Sequence, residues 1–172
     1  MIRTPERCWL DPRVVARRSP IEGLGLFATA PIATGEAVGI LGGRVIDDVE
    51  LRRVAQLRST YSSAAIADGL NLLLGDDEVM ARGNHSCDSN LWMRDEFTLE
   101  ARRDIAAGEE VAVDYALQTS LADWEMACNC GSPRCRRVVR GDDWMRPELQ
   151  ERYRGHFSPF LNRRIEAMDA QE

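Results

Sequence analysis

The stretch Asn84-His85-Ser86-Cys87-Asp88-Ser89-Asn90 sets a histidine and a cysteine two positions apart in a polar, turn-like segment. Further along, Cys128-Asn129-Cys130-Gly131-Ser132-Pro133-Arg134-Cys135 brings three more cysteines into eight residues. Thiolates repel one another, so such crowding is unfavourable unless a cation compensates their charge. The two stretches together therefore predict a metal site, with buried free thiols or disulfides as the alternatives.

Zinc is the metal that this cluster suits best, because Zn²⁺ prefers four ligands in a tetrahedron and structural sites use Cys₄ or Cys₃His. Cys128, Cys130 and Cys135, which we name the tail cysteines, supply three ligands. The candidates for the fourth ligand are Cys87, His85, His156 and Cys8. We favour Cys87, because its polar segment can approach another loop. A site made of four cysteines has no open position and is structural rather than catalytic.

The composition of the 172-residue chain is that of a folded globular protein, with 44% hydrophobic and 29% charged residues. The net charge of −6 argues against general nucleic-acid binding and favours a basic or neutral partner. All 22 basic residues are arginine, so the chain has no lysine side chain that could be modified. The first residues include no apolar segment typical of a secretion signal, and no apolar stretch is long enough to span a bilayer.

The pattern along the chain predicts a mainly β protein with helices late in the sequence. Short strands separated by Gly and Pro are expected in residues 13–46, at 70–74, at 97–101 and at 111–113. Helices are expected at 47–58, from Pro147, and from Ser158-Pro159. Residues 59–80 are otherwise ambiguous.

Four segments occur in an order that matches one known family. They are Glu22-Gly23-Leu24-Gly25-Leu26-Phe27-Ala28, the stretch 84–90, Glu109-Glu110-Val111-Ala112-Val113-Asp114-Tyr115, and the tail cysteines. Together they resemble the SET-domain protein-lysine N-methyltransferases that carry a post-SET zinc tail, in a compact, bacterial-type form. The sequence departs from the family pattern at Ser89, where a proline is usual. It also departs at Ala81-Arg82-Gly83, where the family has Arg-aromatic-aliphatic.

The resemblance implies a fold that is mainly β with α additions. The expected SET-domain β-fold has small curved sheets with a knot-like crossing, a zinc-bound post-SET loop and C-terminal helices. The domains expected on this basis are an N-terminal arm (1–12), the SET domain (13–117), a post-SET zinc segment (118–144) and a helical C-terminal extension (145–172).

The resemblance also implies the chemistry, which is methyl transfer from S-adenosyl-L-methionine to a lysine of a protein or peptide. The two substrates are expected to enter a narrow channel from opposite faces. In-line displacement at a sulfonium depends mainly on alignment, and a dry channel lowers the pKa of the acceptor lysine, so no general base is required.

By the same resemblance, Tyr115 is the expected catalytic residue, and its hydroxyl orients the amine and the methyl group. Tyr61 is a second catalytic candidate near the donor methyl, or else a plain core aromatic. The expected cofactor-binding residues are Gly23, Leu24, Gly25, Asn84, His85 and Tyr115. The expected metal ligands are Cys87, Cys128, Cys130 and Cys135.

Other functions remain as alternatives. The main one is a catalytically silent SET-fold zinc protein that acts as a peptide-binding module. A cysteine hydrolase using Cys87 and His85 is disfavoured because the two residues are poorly placed for a nucleophile–base pair. A zinc-ribbon nucleic-acid binder is disfavoured by the net charge.

Several expectations concern the surface and the setting of the protein. Arg136, Arg137 and Arg140 are expected to form a solvated face. We expect a lysine-containing protein or peptide as partner, with no direct nucleic-acid or membrane contact, and a monomer or weak homodimer. We further expect a cytoplasmic location, with secretion as an effector that acts on host chromatin as the alternative.

Overall fold

The computed structural model describes residues 3–170, which form one large curved β-sheet, a three-stranded sheet, a two-stranded ribbon and several helices. The strands are β1 (Trp9–Leu10), β2 (Val14–Arg18), β3 (Leu24–Ala28), β4 (Ala37–Ile40), β5 (Arg44–Asp47), β6 (Ser63–Ala67), β7 (Leu70–Leu73), β8 (Asn84–His85), β9 (Leu91–Met93), β10 (Thr98–Ala101), β11 (Glu110–Val113), β12 (Glu125–Ala127) and β13 (Val138–Arg140). The α-helices are α1 (Asp48–Leu57), α2 (Pro147–Arg152) and α3 (Pro159–Asp169). Short 3₁₀ helices lie at Val79–Arg82, Tyr115–Leu117 and Asp143–Met145.

The large sheet has the strand order β1-β4-β10-β9-β11-β3-β2, and β8 pairs with β11 beside this path. The second sheet has the order β5-β7-β6, and β12 pairs with β13 in an antiparallel ribbon. Leu99 and Ala101 are buried on one side of β10, as the alternating pattern of that segment predicts. The expected mainly β fold with C-terminal helices is confirmed.

Helix α1 begins where the sequence predicts it. The Asp47 carboxylate accepts a hydrogen bond from the backbone N–H of Glu50 at 2.7 Å and so caps the first turn. Leu51 and Val54 form its buried stripe. The ambiguous residues 59–80 contain β6 and β7, which form an antiparallel pair.

The crossing of two distant segments positions the functional site. β8 runs parallel to β11, with Asn84 opposite Ala112 and His85 opposite Val113. A parallel pair cannot be joined by a tight hairpin, so the chain must travel away and return between the two strands. This pairing sets Asn84 and His85 beside the segment that ends at Tyr115.

The C-terminal helices belong to the main hydrophobic core. Side chains from this part of the chain pack in the same buried cluster as strands of the large sheet; they are Trp144, Leu149, Tyr153, Phe157, Phe160 and Leu161. Ser158 caps α3, and Pro159 occupies its first turn. None of the helices in residues 3–170 has the length and apolar character needed to cross a membrane.

Candidate active site and cysteine centre

A large cavity of about 910 Å³ lies beside the β8–β11 crossing. Gly23 and Leu24 line it from the start of β3, and Asn84, His85 and Tyr115 line it from the crossing. A volume of this size suits a ligand as large as a nucleoside cofactor. The cavity therefore gathers most of the residues that the sequence predicts for the donor site.

The loop before β3 is tied to Asn84. The Asn84 side-chain amide donates to the carbonyl oxygens of Glu22 (3.2 Å) and Leu24 (3.1 Å) and to the Glu110 carboxylate (2.8 Å). Gly23 has φ +49°, a left-handed conformation that glycine adopts without strain. The side chain of Asn84 thus holds the loop, and the loop supplies the cavity with backbone groups.

Gly25 lies against two side chains of the crossing. It is absent from the residues that line the cavity. A Cβ at this position would clash with Oε1 of Glu110 and lie 3.0 Å from Nδ2 of Asn84. The glycine leaves room for these two side chains, and its part in binding a cofactor stays a prediction.

Tyr115 begins a short 3₁₀ helix directly after β11, and the Asp114 carboxylate caps this helix by accepting from the Ala116 N–H at 3.1 Å. The Tyr115 hydroxyl donates to the Gly83 carbonyl oxygen at 3.0 Å. Burial, reinforced by the negative charge of Glu22, raises the pKa of Tyr115 to about 12. Tyr115 is therefore a neutral phenol with its oxygen lone pairs free to accept hydrogen bonds.

Tyr61 lines the same cavity as Tyr115. It is partly buried and packs with Trp124 against the small cluster that includes Leu51. The Trp124 ring lies 6.3 Å from that of Tyr115. The position of Tyr61 on the cavity wall is compatible with contact to a ligand, and its catalytic role stays a prediction.

The His85 ring is buried and has a protein partner at each nitrogen. Nδ1 accepts the backbone N–H of Tyr115 at 3.1 Å, and Nε2 lies 3.2 Å from Sγ of Cys87. Burial lowers the pKa of His85 to about 4, although the Asp114 carboxylate opposes this shift. The imidazole is neutral, and it faces the cysteine centre and Tyr115 as well as the cavity.

The ribbon of β12 and β13 carries the tail cysteines to Cys87. Cys128 follows β12 directly, and its N–H donates to the Arg137 carbonyl oxygen at 2.8 Å, which closes the loop between the strands. The sulfur atoms of Cys87 and the three tail cysteines all lie within 4.8 Å of one another. Among the four candidates for the remaining ligand, the structure brings Cys87 to the cluster.

The other three candidates for the fourth metal ligand, Cys8, His156 and His85, make different contacts. Cys8 exchanges hydrogen bonds with the backbone of Gly42, its sulfur 3.4 Å from the carbonyl oxygen and 3.2 Å from the N–H. His156 stacks on Trp92 with ring centroids 3.4 Å apart. His85 contacts the sulfur of Cys87 instead of joining the group of four.

The cysteine centre has the dimensions of a tetrahedral metal site. Zn–S bonds of about 2.3 Å require sulfur atoms roughly 3.8 Å apart, and the sulfurs of Cys87 and Cys128 are 3.8 Å apart. Burial raises the pKa of Cys87 to about 11, so a cation is needed to favour the thiolate there. For Cys130, burial opposes ionisation, but hydrogen bonds from the backbone of Cys87 and Ser132 outweigh it and lower the pKa to about 7. These four residues could hold a metal ion.

Comparison with known proteins decides the family. The SET-domain family matches residues 23–116, more than half of the chain. The chain belongs to the SET-domain family. The matched region contains β3, the crossing strands and Tyr115, so it includes most of the cavity wall.

Several relatives extend the likeness beyond the SET domain itself. The Oryza sativa subsp. japonica protein named Histone-lysine N-methyltransferase TRX1 is 30% identical over 147 residues, which cover 74% of this chain and 14% of the relative. The Homo sapiens protein named Histone-lysine N-methyltransferase 2B is 32% identical over 139 residues, which cover 71% of this chain and 5% of the relative. The chain thus spans only a small part of these relatives.

A solved structure shows the same fold. The methyltransferase domain of human Histone-lysine N-methyltransferase SETMAR superposes with a TM-score of 0.59 and 23% identity, covering 74% of this chain and 58% of that one.

One expectation about the tail of this SET protein is wrong. Arg136 is not on a solvated face, since its side chain is only 6% exposed. Its two terminal nitrogens donate to the Asp114 carboxylate, each at 2.7 Å, and Nε donates to Asp143 at 2.9 Å. Buried carboxylates require a paired cation, and this requirement draws Arg136 inward. Arg137 and Arg140 are exposed, as expected.

Sequence reasoning missed three residues that organise the SET-domain site, namely Asp114, Glu110 and Arg136. Asp114 and Arg136 stand next to predicted site residues, Tyr115 and Cys135. Asp114 also belongs, with Glu110, to the segment 109–115 that carries the family resemblance. Glu110 lies in a strand whose pattern predicts only its backbone conformation, so its bonds to Asn84 and Ser19 depend on tertiary packing.

Proposed function

We propose that the protein is an S-adenosyl-L-methionine-dependent methyltransferase that modifies lysine side chains of a protein substrate. The observation that carries the proposal is the cavity, which joins the loop at Gly23 and Leu24, the crossing at Asn84 and the hydroxyl-bearing Tyr115. SET-family membership and relatives named as histone-lysine N-methyltransferases support it.

The polar groups of the cavity wall fit such a donor. Gln118 lines the cavity, and its buried Oε1 has no hydrogen-bond partner among residues 3–170. A buried acceptor without a partner is costly unless a ligand donates to it. A ligand with N–H groups, such as an adenine or a substrate amine, would satisfy this oxygen once the Gln118 side chain turns it toward the cavity.

Tyr115 is the residue that we propose to align the reaction. S-adenosyl-L-methionine, when bound, supplies a methyl group on an electrophilic sulfonium. The Tyr115 hydroxyl donates a hydrogen bond to the Gly83 carbonyl oxygen, so the lone pairs of the hydroxyl oxygen can accept from the incoming amine or the methyl hydrogens. The raised pKa of Tyr115 keeps this oxygen neutral.

The acceptor lysine must lose its proton before it attacks. Apolar wall residues, among them Leu26, Val113 and Trp124, keep part of the cavity dry. Desolvation lowers the pKa of an ammonium group and so favours the neutral amine. The net charge of −6 suits a basic protein segment as the partner and acts mainly on the association rate.

We propose zinc as the resident metal of the cysteine centre. Cys87 and the tail cysteines would hold it as four thiolates, which leaves no open position for catalysis. The ion would fasten the ribbon of β12 and β13 to the crossing. It would thereby fix one wall of the cavity, to which Cys128 contributes.

The test is transfer of a labelled methyl group from S-adenosyl-L-methionine to proteins of a cell extract, with wild type compared to Tyr115→Phe. We expect the substitution to lower the rate on the order of 100-fold, because alignment is lost while the cavity remains. Because the chain has no lysine, label cannot arise from self-modification of its own lysine side chains.

Equal unfolding midpoints for both proteins serve as the control for an intact fold. A folded Tyr115→Phe protein with the wild-type rate would refute the role of Tyr115. A wild-type protein that binds lysine peptides but transfers no methyl group would instead show a silent peptide-binding module.

A further inference from the structure

The His85 ring connects the cysteine centre to the backbone of Tyr115. Its Nδ1 lies 3.1 Å from the Tyr115 nitrogen, and its Nε2 lies 3.2 Å from the sulfur of Cys87. The ring is 3% exposed, so water does not compete for either contact. Its ring centroid is 5.2 Å from that of Tyr115, so the two side chains also pack together.

The partners dictate which nitrogen carries the proton. A backbone N–H can only donate, so Nδ1 must be the bare acceptor. A neutral imidazole then carries its proton on Nε2, which points at the sulfur of Cys87. The ring is therefore a donor toward the metal ligand and an acceptor toward Tyr115.

We propose that His85 is a positioning residue that couples the metal centre to Tyr115: its Nε2–H stabilises the Cys87 thiolate, and its Nδ1 holds the backbone N–H of Tyr115. The role for catalysis rests on the proposed methyltransferase function, but the two hydrogen bonds can be tested without it. A hydrogen-bond donor to a thiolate ligand strengthens metal binding. Such supporting bonds typically change metal affinity by roughly 10- to 100-fold.

A second contact at the same sulfur supports the assignment. The backbone N–H of Arg136 also donates to Sγ of Cys87, at 3.3 Å. These two donors would stabilise the thiolate form of Cys87 when a metal binds, since a neutral thiol is a weak acceptor. Cys87 is the ligand that joins the crossing to the tail, so the position of the metal reaches Tyr115 through His85.

Two substitutions separate the two functions of the ring. In His85→Asn the side-chain oxygen can take the place of Nδ1, which preserves the acceptor for Tyr115 and removes the donor to Cys87. In His85→Gln the amide nitrogen can take the place of Nε2, which preserves the donor to Cys87 and removes the acceptor for Tyr115. The matched controls are His156→Asn and His156→Gln, at the other histidine of the chain, which stacks on Trp92 away from the cavity.

Metal binding is measured by competition with a chromophoric zinc chelator and by the thiolate charge-transfer band of the Co²⁺-substituted protein. We expect His85→Asn to weaken zinc binding at least about 10-fold and to shift the band. His85→Gln should keep the wild-type affinity and spectrum, as should both His156 variants.

The hydrogen bond from the Tyr115 backbone to His85 is tested by hydrogen–deuterium exchange of the Tyr115 amide and by steady-state kinetics. We expect faster exchange in His85→Gln, with kcat about 10-fold or more below wild type. His85→Asn, with its metal site saturated by excess zinc, should keep slow exchange.

The proposal would be overturned if both variants changed metal affinity and amide exchange equally, or if neither variant changed them. A ring that only fills space would give one of these results, because its loss would not affect the two measurements separately. If wild type transfers no methyl group, the proposed function fails alone. Metal competition and amide exchange would still decide the role of His85.

Discussion

At the scale of single residues, the side chain of Asn84, which is expected to bind a ligand, makes its hydrogen bonds to other groups of the protein. Its amide donates to three acceptors, one in the loop before β3, one at the first residue of β3 and one on Glu110. These bonds hold the backbone of the loop beside the cavity, and the cofactor-binding role of Asn84 stays a prediction. Gly25 acts in the same way, since it makes room for Glu110 and Asn84.

Gln118 gives the prediction at this scale. Its buried Oε1 has no partner within residues 3–170, so Gln118→Met removes an uncompensated polar group without a large change of length. We expect the ligand-free protein to gain about 1 kcal/mol of unfolding free energy, measured by urea denaturation. Because a ligand donor would lose its acceptor, the same variant should bind the donor or the lysine peptide more weakly.

The control for this prediction is Gln150→Met. The Gln150 side-chain nitrogen donates to the Trp144 carbonyl oxygen at 3.2 Å, so its replacement should lower stability instead. A loss of stability in Gln118→Met as well would show that its amide is satisfied inside the protein.

At the scale of elements, a buried ion pair joins the 3₁₀ helix of Tyr115 to the ribbon of β12 and β13. Asp114 caps the helix and is fully buried, and Arg136 follows the last tail cysteine. Asp143 binds the same guanidinium from the next 3₁₀ helix. The three elements therefore share one charge centre next to the cysteine centre.

Arg136→Met tests this centre, because it leaves the buried Asp114 carboxylate without its cation, while Asp143 keeps Arg146 at 3.6 Å. We expect a loss of about 3–5 kcal/mol in unfolding free energy, measured by urea denaturation at equal metal content. Arg134→Met, at an exposed position of the same loop, should change stability by no more than about 0.5 kcal/mol.

The double variant Arg136→Met with Asp114→Asn removes the stranded charge and should recover part of the loss. A single variant as stable as Arg134→Met would contradict the burial of this ion pair.

At the scale of the whole molecule, residues after the tail cysteines complete the core of the SET fold. Tyr153 is fully buried, and its hydroxyl lies 3.2 Å from Ser89 and 3.3 Å from Asp114. Leu161 is fully buried in the cluster that contains Leu99 and Val111 of the large sheet. The extension thus supports the segment after β8 and the carboxylate that caps Tyr115.

Leu161→Ala measures this dependence. Loss of a fully buried leucine should cost about 2–5 kcal/mol, and the protein should still unfold in one transition in urea. Arg163→Ala, on the exposed side of α3, should stay within about 0.5 kcal/mol of wild type. A separate early transition for Leu161→Ala would show that α2 and α3 fold as an independent unit.

The domain boundaries, the cytoplasmic location and the monomer or weak homodimer stay predictions. A basic peptide or protein as partner belongs to the proposed function.

Much of the fold and site follows from the sequence because it depends on residue type and short spacing. Alternating and Gly-punctuated segments predicted the strands, and Asp47 and Pro159 marked helix starts. Three crowded cysteines indicated a metal site, and four motifs in order indicated the family. These inferences need only local geometry and elementary electrostatics.

Only the tertiary structure decided which distant groups meet. Cys87, and neither Cys8 nor His156, joins the tail cysteines. Arg136 turns inward to Asp114, which is 22 residues away in the chain. His85 uses its nitrogens for Cys87 and Tyr115. The burial of a side chain and the choice of its partner depend on packing between segments that are distant in the chain. A charged residue or a histidine looks the same in the sequence whether its hydrogen-bond partner is water or a buried protein group.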